Sequence, residues 1–187
     1  MDGKITLVTG GARSGKSSFS EELVKKSSLK AAYLATAIPF DEGMKDRIKK
    51  HQMSRPQEWT TYEGFRDMYL LIPKIAKEHK IILLDCVTIM VTNLMFEHKN
   101  VDWNKVSYET VDQIEASIRE QFQMLIQVIR QHQVHIIMVT NELGMGIVPE
   151  NRLSRIFRDI AGRINQMIAQ EADEVYLVVS GLPVKLK

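Results

Sequence analysis

The chain has 187 residues, of which 44% are hydrophobic and 26% charged, and its formal net charge is +2 at pH 7. These values are typical of a globular protein, and the length favours a single domain over residues 1–187. The small net charge argues against nucleic acid or an anionic membrane as a partner. No apolar stretch predicts a membrane span, the first residues do not resemble a signal peptide, and the single cysteine, Cys86, fits a reducing cytoplasm.

Short apolar runs alternate with longer helical patterns along the chain. Because the apolar runs are continuous, they predict strands that are buried on both faces of a parallel sheet. Helices between such strands predict right-handed βαβ units, with a ligand crevice beyond the carboxyl ends of the strands. The predicted strands are Ile5–Thr9, Ala31–Thr36, Ile81–Asp85, His135–Thr140 and Glu174–Ser180; the predicted helices are Lys16–Lys26, Glu42–Arg55, Gly64–Lys77, Ser107–Gln131 and Asn151–Gln170; and Glu97–Lys105 is a predicted exposed loop.

The first predicted strand leads into Gly10-Gly11-Ala12-Arg13-Ser14-Gly15-Lys16-Ser17, which matches the phosphate-binding pattern G-x-x-x-x-G-K-[ST]. Glycines allow main-chain N–H groups to approach phosphate oxygens, and the next helix adds the positive end of its dipole. In this pattern Lys16 reaches the β- and γ-phosphates, and the Ser17 hydroxyl helps to hold Mg²⁺. The position between an apolar strand and a helix disfavours a chance match in another glycine-rich turn.

The predicted strand Ile81–Asp85 ends in a carboxylate. P-loop enzymes use such an acid to hold Mg²⁺, either directly or through water. An aspartate at this position also commonly caps the following turn. Because a phosphate-binding loop follows the first strand, we favour the metal role for Asp85.

A histidine lies on the second predicted helix. Met44, Ile48 and His51 are spaced so that they share one face, which is the usual pattern of a buried structural histidine. A neutral imidazole can also attack phosphorus and form a covalent phosphoramidate, so a nucleophilic role stays open. Arg55 lies just before Pro56, which should end this helix, and its guanidinium suits a phosphate contact.

A loop with two glycines and a proline follows the fourth predicted strand, at the crevice end of the sheet. Loops at this end of a sheet often carry function. Asn141 and Glu142 either orient a substrate or a water molecule, or only cap the turn. On the next helix we expect four arginines to form a solvated face: Arg152, Arg155, Arg158 and Arg163.

Nearly the whole chain resembles the bifunctional adenosylcobinamide kinase / adenosylcobinamide-phosphate guanylyltransferase family of cobalamin synthesis. The phosphate loop alone is not specific to this family, whereas the block Asn141–Arg152 is absent from generic P-loop kinases. The other segments that carry the resemblance are Tyr33–Ala37, Arg47–His51, Arg55-Pro56 with Trp59, Met90–Leu94, Phe157–Arg163 and Leu177–Gly181.

The resemblance implies two reactions on one chain and a RecA-like, mostly parallel sheet flanked by helices. In the first, a γ-phosphate passes from a nucleoside triphosphate, ATP or GTP, to the hydroxyl of the aminopropanol arm of adenosylcobinamide. In the second, GTP donates GMP to the new phosphate, which releases pyrophosphate and gives adenosyl-GDP-cobinamide. The resemblance also implies a homotrimer.

The family's guanylylated histidine corresponds to His51 in this sequence. Many relatives carry a second histidine just before it, where this chain has Lys50, and many carry glutamate where this chain has Asp85. The first difference leaves one candidate nucleophile, and the second shortens the acidic side chain that faces the metal. The nucleotide contacts implied by the resemblance are Gly10 to Ser17, Ala35, Thr36, Ala37, Gln52, Met53, Ser54, Arg55, Glu63 and Asp85.

Two other functions remain compatible with the residues. One is a P-loop kinase for a different small molecule, with His51 as a structural residue. The other is a nucleotide-gated regulatory module that turns nucleotide over slowly.

Overall fold

The structure is a computed structural model that describes residues 3–38, 56 and 58–187. Strands and helices alternate along most of this length, as the hydrophobic pattern predicts. The strands are β1 (Ile5–Thr9), β2 (Ala31–Ala35), β3 (Thr60–Glu63), β4 (Ile81–Asp85), β5 (His135–Val139), β6 (Glu174–Val179) and β7 (Leu182–Lys185). The helices are α1 (Lys16–Lys26), α2 (Ile72–Glu78), α3 (Val87–Phe96), α4 (Tyr108–His132) and α5 (Arg152–Glu171), and a 3₁₀ turn spans Met68–Leu70.

The described strands form one seven-stranded sheet in the order β3-β2-β4-β5-β1-β6-β7. All neighbouring pairs are parallel except β6 and β7, which form an antiparallel hairpin. The central strands are buried on both faces, which explains why their sequences are continuous apolar runs. The parallel arrangement places the carboxyl ends of six strands along one edge.

Helices cover both faces of the sheet. On one face, α2, α3, α4 and α5 pack against β1, β4 and β5 in the larger apolar core. On the other face, Val24 of α1 packs into a smaller core. Side-chain oxygens cap two of the helices, because Ser107 accepts from the Thr110 N–H and Asn151 accepts from the Ser154 N–H.

All five predicted strands are present, although three of them end one residue before the predicted boundary. The residues left out are Thr36, Thr140 and Ser180. The sequence pattern gave no indication of β3 and β7, because they are short and largely exposed edge strands. The pattern also missed α3, because this helix is apolar on nearly all sides and has no polar face. The predicted helix Glu42–Arg55 lies outside the described residues.

The predicted helix Gly64–Lys77 is wrong over its first half. Asp67 has a left-handed backbone with φ of 53°, so a continuous helix cannot pass through it. The chain instead makes the 3₁₀ turn and then begins α2, with Pro73 in the first helical turn. The prediction of an irregular segment at Glu97–Lys105 is confirmed, although Trp103 is buried within it.

The predicted solvated face of four arginines is confirmed for Arg163, which is exposed, whereas Arg152, Arg155 and Arg158 are half-buried. Arg163 makes two hydrogen bonds of 2.6 Å to Glu115 and so links α5 to α4. The Arg152 guanidinium donates to main-chain carbonyls before α4, and Arg155 donates to carbonyls at Pro149 and in the next residue. The acceptors of Arg152 and Arg163 are far away in sequence, so i, i+3 spacing cannot reveal them. None of the helices in the described ranges is both long and apolar enough to cross a membrane.

The buried ring of Phe122 gives a direct test of the larger core. Phe122 is fully buried in α4, so Phe122→Ala should lower the free energy of unfolding by about 3–5 kcal/mol. The matched control is Phe96→Ala, because Phe96 is 47% exposed and makes an edge-to-face contact with Trp103. The control should cost about 1 kcal/mol, as measured by urea unfolding. Equal losses in the two variants would contradict this description of the core.

Candidate active site

The predicted site residues converge on the carboxyl edge of the sheet. Ala35 lies opposite both Glu63 and Asp85 in the strand register, and Asp85 lies opposite Val139. The phosphate loop joins β1 to α1 at the same edge. Five predicted site residues lie outside the described residues: His51, Gln52, Met53, Ser54 and Arg55.

The phosphate loop has the backbone of an anion-binding loop. Arg13 and Gly15 have left-handed φ values of 59° and 93°, and Gly15 is the residue from which α1 begins. Alternation of right- and left-handed residues makes successive N–H groups face a common concavity. Gly10 is needed for space, because a Cβ there would lie 2.5 Å from the Val178 oxygen and 2.6 Å from Ser14 Oγ.

Two segments from outside the loop hold its carbonyl groups. The Glu142 N–H, just after β5, donates to the Gly10 oxygen at 3.0 Å. The Gly181 N–H, in the turn between β6 and β7, donates to the Ser14 oxygen at 2.7 Å. This turn is tight because Ser180 and Gly181 have left-handed φ values of 51° and 83°.

These contacts orient the amides that would face a phosphate. In a trans peptide the C=O and N–H groups point in opposite directions, so fixing one carbonyl fixes the next amide. The N–H groups of Gly11 and Gly15 are therefore turned away from the Glu142 and Gly181 contacts. Lys16 Nζ donates to the Gly11 oxygen at 3.0 Å, which places the ammonium group against the loop.

The acid at the end of β4 is held by an aromatic pair. Asp85 Oδ2 accepts a hydrogen bond of 2.8 Å from the Tyr33 hydroxyl. The Tyr33 ring stacks on Trp59, with centroids 6.5 Å apart and an interplanar angle of 29°. Asp85 is half-buried. Sequence reasoning did not assign these two aromatic residues a role, because no motif links them to the acid.

Cys86 is a poor candidate for a nucleophile in this site. Burial, together with the negative charge of Asp85, raises the pKa of the Cys86 thiol to about 12. Lys16 acts in the opposite direction on this pKa but does not compensate for the burial. Because the thiolate is the reactive form, the neutral thiol next to the site is inert at physiological pH.

Thr36 holds two strand ends together. Its Oγ1 donates to the Cys86 oxygen and accepts from the Cys86 N–H, both at 2.8 Å. Asn93 Nδ2, from α3, donates to the Thr36 oxygen at 2.7 Å. The Thr36 side chain is completely buried by these partners, whereas Ala37 is half-buried at the crevice. Thr36, a predicted nucleotide contact, therefore has an architectural role because its side chain holds the two strand ends together.

The oxygen atoms near the loop suit a cation that takes only one or two ligands from the protein and the others from water and phosphate. Ser17 and Asp85 are both half-buried and supply a hydroxyl and a carboxylate. No cluster of three His, Cys, Asp or Glu side chains that could hold a metal occurs in residues 3–38, 56 and 58–187. Mg²⁺ is commonly held by one or two protein oxygens together with water and phosphate oxygens, so this pair fits Mg²⁺.

An exposed apolar segment lies in the loop that follows β5. Met145, Ile147 and Val148 are exposed there, and Ile147 is 94% exposed. An open cavity of about 460 Å³ separates this loop from the middle of α5. Its lining includes Gly144, Gly146, Val148, Arg158, Asp159, Gly162, Arg163 and Gln166.

The fold agrees with that of a solved KaiC-like protein. The KaiC-like protein PH0186 from Pyrococcus horikoshii OT3 superposes with a TM-score of 0.51 and 15% sequence identity. The match covers 94% of this chain and 71% of that protein. At this identity the similarity concerns the fold alone, and it confirms the predicted RecA-like P-loop architecture.

Curated relatives match the chain over almost its full length. The bifunctional adenosylcobalamin biosynthesis protein CobU of Escherichia coli K12 is 46% identical, over 98% of this chain and 99% of its own. The protein of the same name from Salmonella typhimurium LT2 is 45% identical over the same shares of the two chains. The bifunctional adenosylcobalamin biosynthesis protein CobP of Pseudomonas aeruginosa PAO1 is 34% identical, over 97% of this chain and 96% of its own.

The family comparison agrees with these relatives and with the phosphate loop that the Glu142 and Gly181 N–H groups hold at the edge of the parallel sheet. The family model named CobU, described as cobinamide kinase / cobinamide phosphate guanyltransferase, matches residues 6–186. This chain therefore belongs to the cobinamide kinase / cobinamide phosphate guanyltransferase family.

Proposed function

We propose that the chain phosphorylates adenosylcobinamide with a nucleoside triphosphate and then transfers GMP from GTP to the new phosphate. The observation that carries the proposal is the phosphate loop, whose amides are aligned at the crevice edge in a chain of this family. The product of the second reaction is adenosyl-GDP-cobinamide, and pyrophosphate leaves.

In the first reaction the protein mainly positions groups and supplies charge, as is usual in phosphoryl transfer. We assign the loop amides and the Lys16 ammonium to the phosphates of the nucleotide. Ser17 and Asp85 are the residues that would hold Mg²⁺, with Asp85 kept in place by Tyr33. When bound, Mg²⁺ neutralises negative charge on the phosphate oxygens.

In the second reaction we assign His51 as the nucleophile. Its ring nitrogen forms a bond to the α-phosphorus of GTP while the bond to pyrophosphate breaks. An oxygen of the acceptor phosphate then attacks the same phosphorus, and the phosphorus–nitrogen bond breaks to release the imidazole. The residues after His51 and those at the ends of β2 and β3 complete the proposed nucleotide site: Gln52, Met53, Ser54, Arg55, Ala35, Ala37 and Glu63.

Three further proposals rest on the sequence and the family resemblance. We propose that residues 1–187 act as one domain, that the protein is a homotrimer, and that it works in the cytoplasm. Sedimentation equilibrium would test the trimer, since a monomeric mass at micromolar concentration would contradict it.

Replacement of His51 should separate the two activities. His51→Ala should retain phosphorylation of adenosylcobinamide and lose guanylyl transfer by at least about a hundredfold, since it lacks the nucleophile. With α-labelled GTP, the unmodified protein should acquire an acid-labile, alkali-stable label that His51→Ala lacks. The control is His132→Ala, because His132 is exposed at the end of α4 that precedes β5, away from the crevice.

The same experiment distinguishes the alternatives. Equal loss of both activities in His51→Ala would contradict the division of roles. No bound label on the unmodified protein would favour direct transfer or a kinase of other specificity. A conformational response to nucleotide without acceptor-stimulated consumption would favour a regulatory module.

The Gly181 contact should determine how well the phosphate loop binds nucleotide. A β-branched residue does not tolerate φ of 83°, so Gly181→Val should displace the N–H that holds the Ser14 oxygen. We expect Gly181→Val to raise the Kd for a fluorescent GTP analogue about tenfold, equivalent to ~1.4 kcal/mol. Gly181→Asn should stay within about threefold of the unmodified protein, since asparagine tolerates this conformation.

Leu182→Ala is the matched control in the same hairpin, because Leu182 is exposed on β7. It should bind the analogue as the unmodified protein does. Unchanged affinity in Gly181→Val, or equally weak binding in the valine and asparagine variants, would contradict the role of this turn.

A further inference from the structure

Two helices converge on the main chain of Asn141, the second residue after β5. The Asn141 N–H donates to Thr88 Oγ1 on α3 at 2.7 Å. The Asn141 carbonyl accepts from Asn165 Nδ2 on α5 at 3.2 Å. Both main-chain groups of this residue are thus held by side chains from helices on the same face of the sheet.

The same side chains close a ring of hydrogen bonds. Thr140 Oγ1 donates to Asn165 Oδ1 at 2.8 Å, and Thr88 and Thr140 hydroxyl oxygens are 3.1 Å apart. Because the single Thr140 hydroxyl hydrogen goes to Asn165, the Thr88 hydroxyl is the donor to Thr140. The ring therefore runs from the Asn141 N–H through Thr88, Thr140 and Asn165 back to the Asn141 carbonyl.

This ring is buried and uses nearly all the polar groups of its members. Thr140 and Thr88 are almost completely inaccessible to solvent. A buried network whose donors and acceptors are paired is rigid, because any displacement leaves a group without a partner. The side-chain amide of Asn141 does not take part, is half-buried, and makes no hydrogen bond to any residue that the structure describes.

The strand order places the main chain of Asn141 between the phosphate loop and Asp85. Strand β5 lies between β1 and β4. The Thr140 N–H donates to the Val8 oxygen at 2.9 Å and the Glu142 N–H donates to the Gly10 oxygen, so Asn141 runs beside the start of the loop. Neighbouring strands are about 4.8 Å apart, so Asn141 is one strand from the loop and one strand from Asp85.

The neighbouring residue Glu142 is less suited to contact phosphate. Its Oε1 accepts the Gly144 N–H at 2.5 Å, so the carboxylate turns back onto its own loop. A carboxylate would also repel phosphate oxygens, whereas an amide N–H donates to them without adding charge.

We propose that Asn141 is a further catalytic residue, whose Nδ2 donates to an oxygen of the γ-phosphoryl group during transfer. Thr88, Thr140 and Asn165 are its positioning residues. The inference deepens the proposed kinase function and rests on it. During transfer the bond between the γ-phosphorus and the bridging oxygen breaks, and a bond between the γ-phosphorus and the acceptor hydroxyl oxygen forms. The hydroxyl proton passes to water. The Asn141 amide donates a hydrogen bond and transfers no proton.

A donor that is fixed before the reaction stabilises the charge of the transition state without reorganising. Loss of one such donor typically lowers kcat by about 10²–10³-fold. Asn141→Ala should therefore lower kcat for phosphoryl transfer about a hundredfold, with the KM for nucleotide changed less than about threefold.

A double-mutant cycle tests whether Thr88 acts through Asn141. Thr88→Val removes the acceptor of the Asn141 N–H and should lower kcat about tenfold, because the amide is then loosely held. The double variant Thr88→Val/Asn141→Ala should be no slower than Asn141→Ala alone. The control is Thr92→Val, since Thr92 lies one turn later on α3 and its hydroxyl donates to the Thr88 carbonyl; its kcat should stay within about twofold.

Two additional measurements distinguish failure of the inference from misfolding of a variant and from failure of the proposed function. Asn165→Leu opens the ring from α5 and gives the same comparison if Thr88→Val does not fold. Hydrolysis of the γ-phosphate by water needs no acceptor, so its rate tests the role of Asn141 whichever molecule is the natural acceptor. If the unmodified protein hydrolyses GTP but does not phosphorylate adenosylcobinamide, the proposed function fails while the hydrolysis rates still test the ring.

Normal hydrolysis and transfer by a folded Asn141→Ala variant would overturn the catalytic role. Multiplicative losses in the double variant would overturn the positioning role, because Thr88 would then act independently of Asn141.

Discussion

A triphosphate can be bound by main-chain amides only if the peptide groups of the loop already face it. An isolated glycine-rich loop has many alternative peptide orientations, and ordering them on binding would cost affinity. In this protein the carbonyls of Gly10 and Ser14 are held by the Glu142 and Gly181 N–H groups. The loop is therefore fixed by segments that lie more than a hundred residues away in sequence, and the chemistry at the crevice depends on their packing.

Helix α3 links the ends of two strands to this arrangement. Near its start Thr88 holds the main chain of Asn141, and five residues later Asn93 holds that of Thr36. The strands β2 and β5 flank β4, whose last residue is Asp85. One apolar helix with two inward polar side chains thus aligns the strand ends on both sides of the acid. This explains why polar residues occur in an otherwise hydrophobic segment.

Much of the fold follows from local patterns in the sequence. Continuous apolar runs predicted the five main strands, and the phosphate-binding pattern placed Gly10 to Ser17 between β1 and α1. The wrong helix start near Gly64 and the missed α3 reflect the limits of periodicity, because a left-handed residue and an all-apolar helix leave no periodic signal. The contacts of Tyr33, Gly181 and Asn165 join residues distant in sequence, and no spacing rule reveals such partners.

The protonated state of Cys86 has a consequence for how the enzyme tolerates oxidants. Peroxides and other electrophiles react with the thiolate, and a buried thiol with a pKa of about 12 almost never presents that form. The only sulfhydryl of the chain adjoins the acid of the crevice, where sulfenic acid formation would add a polar oxygen beside Asp85. Burial thus shields the phosphate-binding edge from redox damage while the folded state persists.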